Sequence, residues 1–384
     1  MRVDDVLDLL PTTPRLLALG EPTHGEDDLL DVRNDLFRAL VEEHGYRTVA
    51  LESDCLRGLL VDDYVTGGPG ALDEVVAHGI THGFGESAAN RDLVRWMRAY
   101  NEGRPGPEQV RFAGFDGPLE ITGAESPRAA LAALDGYLAA HLDADLLPCT
   151  ADTLAGLLGS DDRWLEPAAM RDPSRSVGQT PDAARLGMLA ADLVALLHAQ
   201  TPHLVRVSAP EDLHRARLYG RSATGLLCYH FWMAEPGPGR MSRLLGQRAS
   251  MMAATLLALV ERGPVLAYAH NAHLQREASS MRMGGAPVEW WSAGALVDAR
   301  LGGDYAFLAT ALGTIRHRGV DEPPADTLEG LLYADDLTLV DPRRADLRAA
   351  TPRVSPWFGY APLDPTHLAR TDGIVFVKDA RQRP

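Results

Sequence analysis

Lysine is almost absent from this chain. Of 37 basic residues only Lys378 is lysine, so 37 − 1 = 36 are arginine. A Schiff-base lysine and a phosphate-loop lysine are thereby excluded as centres of chemistry. Positive charge is also outnumbered: 37 basic against 53 acidic residues gives 37 − 53 = −16 at pH 7. Nucleic acid and anionic membrane both require a positive footprint, so neither is expected as a partner. A neutral or cationic small molecule suits the charge better. The three cysteines, Cys55, Cys149 and Cys228, are far apart and form no CxxC. They are read as reduced, mostly buried thiols of a cytoplasmic protein rather than a disulfide framework. Long apolar runs are missing too. The longest, Met251–Val260, falls well short of the roughly 18–20 residues of a membrane span. The opening MRVDDVLDLLPTTP is acidic early and lacks a basic stretch leading into an apolar one, so no signal peptide is expected.

What is present is enough apolar residue, 46% of 384, for a large α/β core. The first third alternates short β-branched or apolar runs with helical patterns. Strands are expected at Arg15–Leu19, Thr48–Leu51 and Val110–Ala113, and an amphipathic helix at Asp28–Glu43. Further helical stretches fall at Cys55–Val65, Leu72–Val76 and Arg91–Asn101. This β-α-β order implies a central, mostly parallel sheet flanked by helices. Between residues 117 and 263 strand-like runs give way to Ala/Leu-rich helices: Pro127–Leu142, Ala183–Ala199, His214–Met233 and Ser242–Arg262. The expectation is a catalytic core over 1–116 and 264–384, with 117–263 inserted as a helical lobe that covers the carboxyl edge of the strands as a lid or substrate wall. Strands resume at Val265–Tyr268, Tyr305–Thr310, Leu337–Val340 and Ile374–Val377, with a helix at Ala293–Leu301.

The familiar motifs of hydrolases and nucleotide enzymes are missing: there is no GxSxG, no HExxH, no Walker A and no GxGxxG after a strand. A positional pattern takes their place. Glu21 and His24 follow the first strand, Glu52 the second, Asp116 the third, and His270 and His273 the fourth. In an open parallel sheet that edge is where ligands bind. Each residue also has a plainer explanation: Glu21 as a helix cap, His24, His270 and His273 as ordinary structural or surface histidines, Glu52 as the partner of Arg33, and Asp116 as a turn residue. Four strands ending in acids or histidines together point to one site.

The run LGEPTHGEDDLLDVRNDLFRALVEEHGYRTVALES resembles the opening signature of the erythromycin-esterase-like family, and AYAHNAHLQR resembles its second signature. Smaller echoes are WMRAYN, GFD and the terminal DGIVFVKD, so the likeness spans nearly the whole chain. It implies an α/β core with a helical lobe over a deep cleft, and hydrolysis of a cyclic ester by water that a histidine activates. The family's site residues fall on Glu21, His24, Arg33, Glu52, His270 and His273. Two departures imply altered substrate contacts. HGFGESAANR, from His82 to Arg91, lacks the tryptophan expected near the cleft, and Thr255 stands where asparagine is common.

From these residues His24 is expected to act as general base, with Glu52 or Glu21 orienting its ring. Arg33 would anchor a carboxylate or stabilise developing negative charge. His270 and His273 would polarise the scissile carbonyl or protonate the leaving alcohol. Tyr229, His230 and Trp232, together with Asp116, are candidates for substrate contact. No cofactor and no metal is expected, although three histidines and two glutamates leave a Zn²⁺ or Mn²⁺ hydrolase open. A biosynthetic enzyme using the same acid–base set for cyclisation, dehydration or acyl transfer stays open as well, as does a protein that only sequesters a natural product. The oligomeric state is not legible.

Overall fold

The computed structural model describes residues 2–120, 123–283, 285–335 and 339–381. The chain divides into two compact units. One comprises Met1–Ser53, Arg57–Phe115 and Leu256–Pro384, and the other Asp54–Leu56 and Asp116–Thr255.

The first unit is built on the expected mostly parallel sheet. Its seven strands are β1 (Leu16–Glu21), β2 (Thr48–Asp54), β3 (Arg111–Asp116), β4 (Val265–His270), β5 (Tyr305–Thr314), β6 (Leu339–Val340) and β7 (Gly373–Asp379). The spatial order is β6-β7-β5-β1-β4-β2-β3. β1 pairs in parallel with β4 and β5, β4 with β2, and β5 with β7, while β6 runs antiparallel to β7. Every residue of β1 and of β5 is buried. Helices on both faces demand such runs, so a strand of this kind reads as a continuous apolar stretch rather than an alternation.

β1 is the strand from which neighbours diverge, and its carboxyl end is shaped by one glycine. The β1–β5 ladder runs only from Leu16 to Leu19. Beyond it the Asn271 amide inserts, donating Nδ2 to Thr310 O at 2.9 Å and accepting Thr310 N on Oδ1 at 3.2 Å. A Cβ on Gly20 would lie 2.1 Å from Asn271 Oδ1, so only glycine admits that side chain. The sheet thus opens at the switch point, where ligands of such folds sit.

The Asp27–Glu43 helix buries Leu29, Leu30, Leu36, Phe37, Leu40 and Val41, as its periodicity demands. Arg33 and Asn34 share that buried stripe. A charged residue on a core-facing stripe is costly unless something there uses it.

The second unit is helical, with Arg128–His141, Ala151–Leu158, Pro181–Ala199 and Pro210–Met233 packed through Leu131, Leu134, Leu186, Leu193 and Ala216. It also holds a two-strand ladder, Leu119–Glu120 with Gly123–Ala124, where only helix was expected. The helix foreseen from Cys55 starts at Gly58, whose Cβ would stand 2.7 Å from Gly114 N. An unforeseen hairpin, Ala278–Met283 with Ala286–Trp291, follows β4. Of the strand expected at Leu337–Val340, Leu339 and Val340 are in β6, and Leu337 and Thr338 lie outside the described residues. Among the described residues no helix is long and apolar enough to cross a membrane.

Candidate active site

The carboxyl ends of β1, β2 and β4 deliver a titratable cluster within the sheet unit. Register places Glu21 beside His270, and Leu51, next to Glu52, beside Tyr268. His24 sits in the turn directly after β1. Gly25 follows it with φ +82°, a left-handed conformation that favours glycine. The turn is pinned from behind, since Ala361 N donates to Pro22 O at 2.8 Å.

Glu21 is 3% exposed and accepts two hydrogen bonds. His24 Nδ1 donates to Oε1 at 2.7 Å and Tyr268 Oη donates to Oε2 at 2.6 Å. Burial, reinforced by Glu21, holds the Tyr268 hydroxyl well above its ordinary pKa, so it stays a donor. With the proton on Nδ1, the His24 lone pair lies on Nε2. The His24 side chain keeps 39% of its surface exposed. Of the two glutamates that the sequence left open as its orienting group, Glu21 makes this bond.

Glu52, also buried, accepts the His270 backbone N–H at 2.9 Å on Oε2 and lies 3.1 Å from His273 Nε2 through Oε1. The His270 ring is taken up by the backbone. Its Nδ1 accepts Ala272 N at 3.1 Å, and its other nitrogen donates to the Pro22 carbonyl. Burial, with help from His24 and His273, pushes its pKa down to about 3. A ring with both nitrogens committed, and neutral near pH 7, holds the Pro22–Gly25 turn in place. Its centroid is 5.4 Å from that of His24.

Arg33 is 1% exposed and stacks over the Tyr268 ring, Cζ to centroid 5.0 Å. Its Nε and Nη2 donate to Asn34 Oδ1 at 3.1 and 2.7 Å, and Asn34 Nδ2 donates to Ala89 O. Burial lowers its pKa, while Tyr268 and Glu21 oppose that. A cavity of about 350 Å³ opens against Glu21, Arg33, Glu52 and Tyr268, walled by Gly83, Phe84, Ser87 and Asn90. The Phe84 ring lies 5.0 Å from that of His24.

The other four candidates belong to the helical unit and have settings of their own. Asp116 is 0% exposed and bound by Arg248 Nε at 3.1 and 3.0 Å. Tyr229 packs with Leu226, Leu244 and Met251. His230, 1% exposed, is bonded through Nε2 to Glu125 O at 2.9 Å and stands edge-on to Trp164. Trp232 carries Arg243 over its ring at 4.2 Å. Tyr229, His230 and Trp232 have the contacts of a packed helix, Pro210–Met233, and Asp116 those of a strand end held by arginine.

Sequence reasoning passed over Tyr268, Asn271, Phe84 and Asn90. Tyr268 was legible only as a strand residue two before His270, and Asn271 only as the middle of His-Asn-Ala-His. Among the described residues, the group of acids and histidines whose ligand atoms converge within 4.8 Å is Asp4, Glu43 and His44. Asp4 is in the Val3–Asp8 helix, and Glu43 and His44 are at the end of the Asp27–Glu43 helix; exposed acids of this kind are common without an ion.

Fold and cluster together define an α/β protein with a histidine–carboxylate centre at its sheet's switch point. The chain belongs to the erythromycin esterase family, whose profile matches residues 41–380. Glu21, His24 and Arg33 precede the matched stretch. It is similar to the erythromycin esterase type II of Escherichia coli, 26% identical over 104 residues, which are 27% of this chain and 24% of that protein. The match thus spans about a quarter of that relative. A mutant of the erythromycin esterase EreC, crystallised in its open conformation, has the same fold. Its TM-score is 0.68 at 19% identity, covering 99% of this chain and 94% of its own. A Bacillus cereus protein of known crystal structure aligns at TM-score 0.72 and 18% identity, over 100% and 94% of the two chains. A succinoglycan biosynthesis protein aligns at 0.64 and 16%, over 98% and 90%.

Proposed function

We propose that the chain hydrolyses a carboxylic ester of a small molecule, cyclic or macrolide-type, with His24 as the base. The observation that carries this reading is the Tyr268–Glu21–His24 chain of hydrogen bonds, at 2.6 and 2.7 Å, which fixes the imidazole tautomer. In it, Nε2 takes a proton from water as the water oxygen bonds to the ester carbonyl carbon. Glu21 stabilises the imidazolium that results. The tetrahedral intermediate then expels the alkoxide, which receives that proton from His24, and acid and alcohol leave. Arg33 supplies positive charge toward the developing oxyanion. His270 positions the turn instead of moving a proton, which replaces the proton-donor role expected of it. Glu52 and His273 form a second pair beside it, and no covalent intermediate is invoked.

The test is a panel of macrolactones and open-chain esters incubated in heavy-oxygen water with chelated enzyme. The expected product gains one water and carries the label in the acid. A product with no gain of water would replace hydrolysis by cyclisation, dehydration or acyl transfer. Activity that returns only with one divalent ion would replace the metal-free step.

A further inference from the structure

The cavity beside the histidine cluster has a chemical preference of its own. Asn90 lines it and is 2% exposed. Its amide orientation is fixed, because Nδ2 lies 2.9 Å from Phe84 O and a carbonyl can only accept. The other end, Oδ1, is buried and accepts no hydrogen bond among the described residues. A buried acceptor of this kind calls for an N–H or O–H donor.

Charge selects between the two. Four carboxylates line the cavity, Glu21, Asp27, Glu52 and Glu86, against one guanidinium, Arg33, so the formal sum is 1 − 4 = −3. The Asp27–Glu43 and Ala88–Asn101 helices both begin at this wall. Their N-termini offset about +0.5 each, which leaves the wall near −2. Arg33 is already counted in that sum, and two of its N–H groups donate to Asn34. Asn90 is tied through Ser87 to one of the acids, Asp27. Ser87 Oγ accepts Asn90 N at 3.1 Å and donates to Asp27 Oδ1 at 2.5 Å.

We propose that this cavity seats a protonated amine of the substrate, with its N–H donated to Asn90 Oδ1 and its charge facing Asp27 and Glu86. Calling the occupant part of a substrate rests on the hydrolase reading; the preference for a cation does not. The amine would orient the ester toward His24, whose neighbour Phe84 accepts the Asn90 Nδ2–H on its carbonyl.

The test needs no turnover. The side-chain amide signals of Asn90, assigned by their loss in Asn90→Asp, are followed by NMR while wild-type protein is titrated with propylammonium chloride. Sodium chloride at equal ionic strength and 1-propanol serve as controls. A saturable shift with propylammonium alone is expected. Glu86→Gln, a change at an exposed side chain, should weaken binding about 2–5-fold. Asn90→Leu, checked by circular dichroism for folding, should weaken it about 10–100-fold. Equal binding of 1-propanol, no shift with propylammonium, or an undiminished affinity in Glu86→Gln overturns the proposal. An enzyme that binds propylammonium yet hydrolyses no ester leaves the cation site standing and removes only the hydrolase reading.

Discussion

The two units of this protein bury carboxylates in opposite ways. In the helical unit Asp116 is fully buried and gripped by the guanidinium of Arg248. In the sheet unit Glu21 and Glu52 are equally buried, but their partners are imidazoles and a phenol: His24, Tyr268 and His273. Arginine does not exchange its proton near neutral pH, so its pair with an acid is a fixed structural charge pair. Imidazole does exchange, so a buried acid facing one can stabilise a proton that comes and goes. Burial alone therefore does not mark an active site; the titratability of the partner does.

Removing one side of the fixed pair should give the largest stability effect. Asp116→Ala leaves Arg248 without its buried partner and should cost about 3–5 kcal/mol of folding stability, as such breaks do. Urea denaturation measures it, and Asp116→Leu combined with Arg248→Met should recover much of the loss. A single variant as stable as wild type would show that the Asp116 pair is not structural.

The same substitution type in the sheet unit should act on rate. Glu21→Gln offers one acceptor where Tyr268 and His24 both donate. If the amide NH₂ turns to the imidazole, Nδ1 must accept and the proton moves to Nε2, the wrong tautomer for a base. The expected loss in kcat is about 10²-fold or more, with little change in melting temperature. Loss of folding without loss of rate per folded molecule would place Glu21 with Asp116 rather than with His24.

Acid should weaken the sheet unit through His270. Its folded pKa, about 3, lies below the unfolded value, so the unfolded chain binds the proton first as pH falls. The stability is complete above about pH 6.5 and is lost as pH drops from there toward 3. Between pH 7 and pH 5 the contribution should be about 1–2 kcal/mol. Urea melts at the two pH values should show a smaller difference in His270→Gln than in wild type. His230 shifts in the same direction by burial, so the residual slope of that variant should shrink again in His230→Gln. An unchanged slope in His270→Gln would mean that His270 binds its proton equally readily in the folded and unfolded chain.

The sheet was legible because parallel strands buried on both faces must be apolar runs, and the helices because their stripes recur every three to four residues. Glu21, His24, Glu52 and His270 were legible for a related reason: each interrupts or ends such a run at the same edge. As a site residue Arg33 was legible only through the family resemblance; its place on a buried stripe came from the structure. Pairing was not legible. Which glutamate faces His24 depends on β1–β4 register and on the reach of Tyr268, neither of which spacing encodes. Asp116 also ends a strand, and nothing local distinguishes it from Glu21, because its partner Arg248 is 132 positions away. Tyr229, His230 and Trp232 were legible as a helical aromatic stripe, and spacing alone did not tell that they pack against Leu226, Glu125 and Arg243. The hairpin after β4 was missed because its strands carry polar and small residues with no sustained alternation.

His24 itself carries the central claim. The direct measurement is kcat/KM against pH for wild type and His24→Ala, on whichever ester the panel identifies. If His24 is the base, the variant loses about 10²–10⁴-fold, and the limb that rises with pH in wild type disappears. Its melting temperature should hold, since a part-exposed loop ring leaves no large cavity when truncated. A variant that turns over within about threefold of wild type with that limb intact would contradict the role, since loss of a true base costs far more.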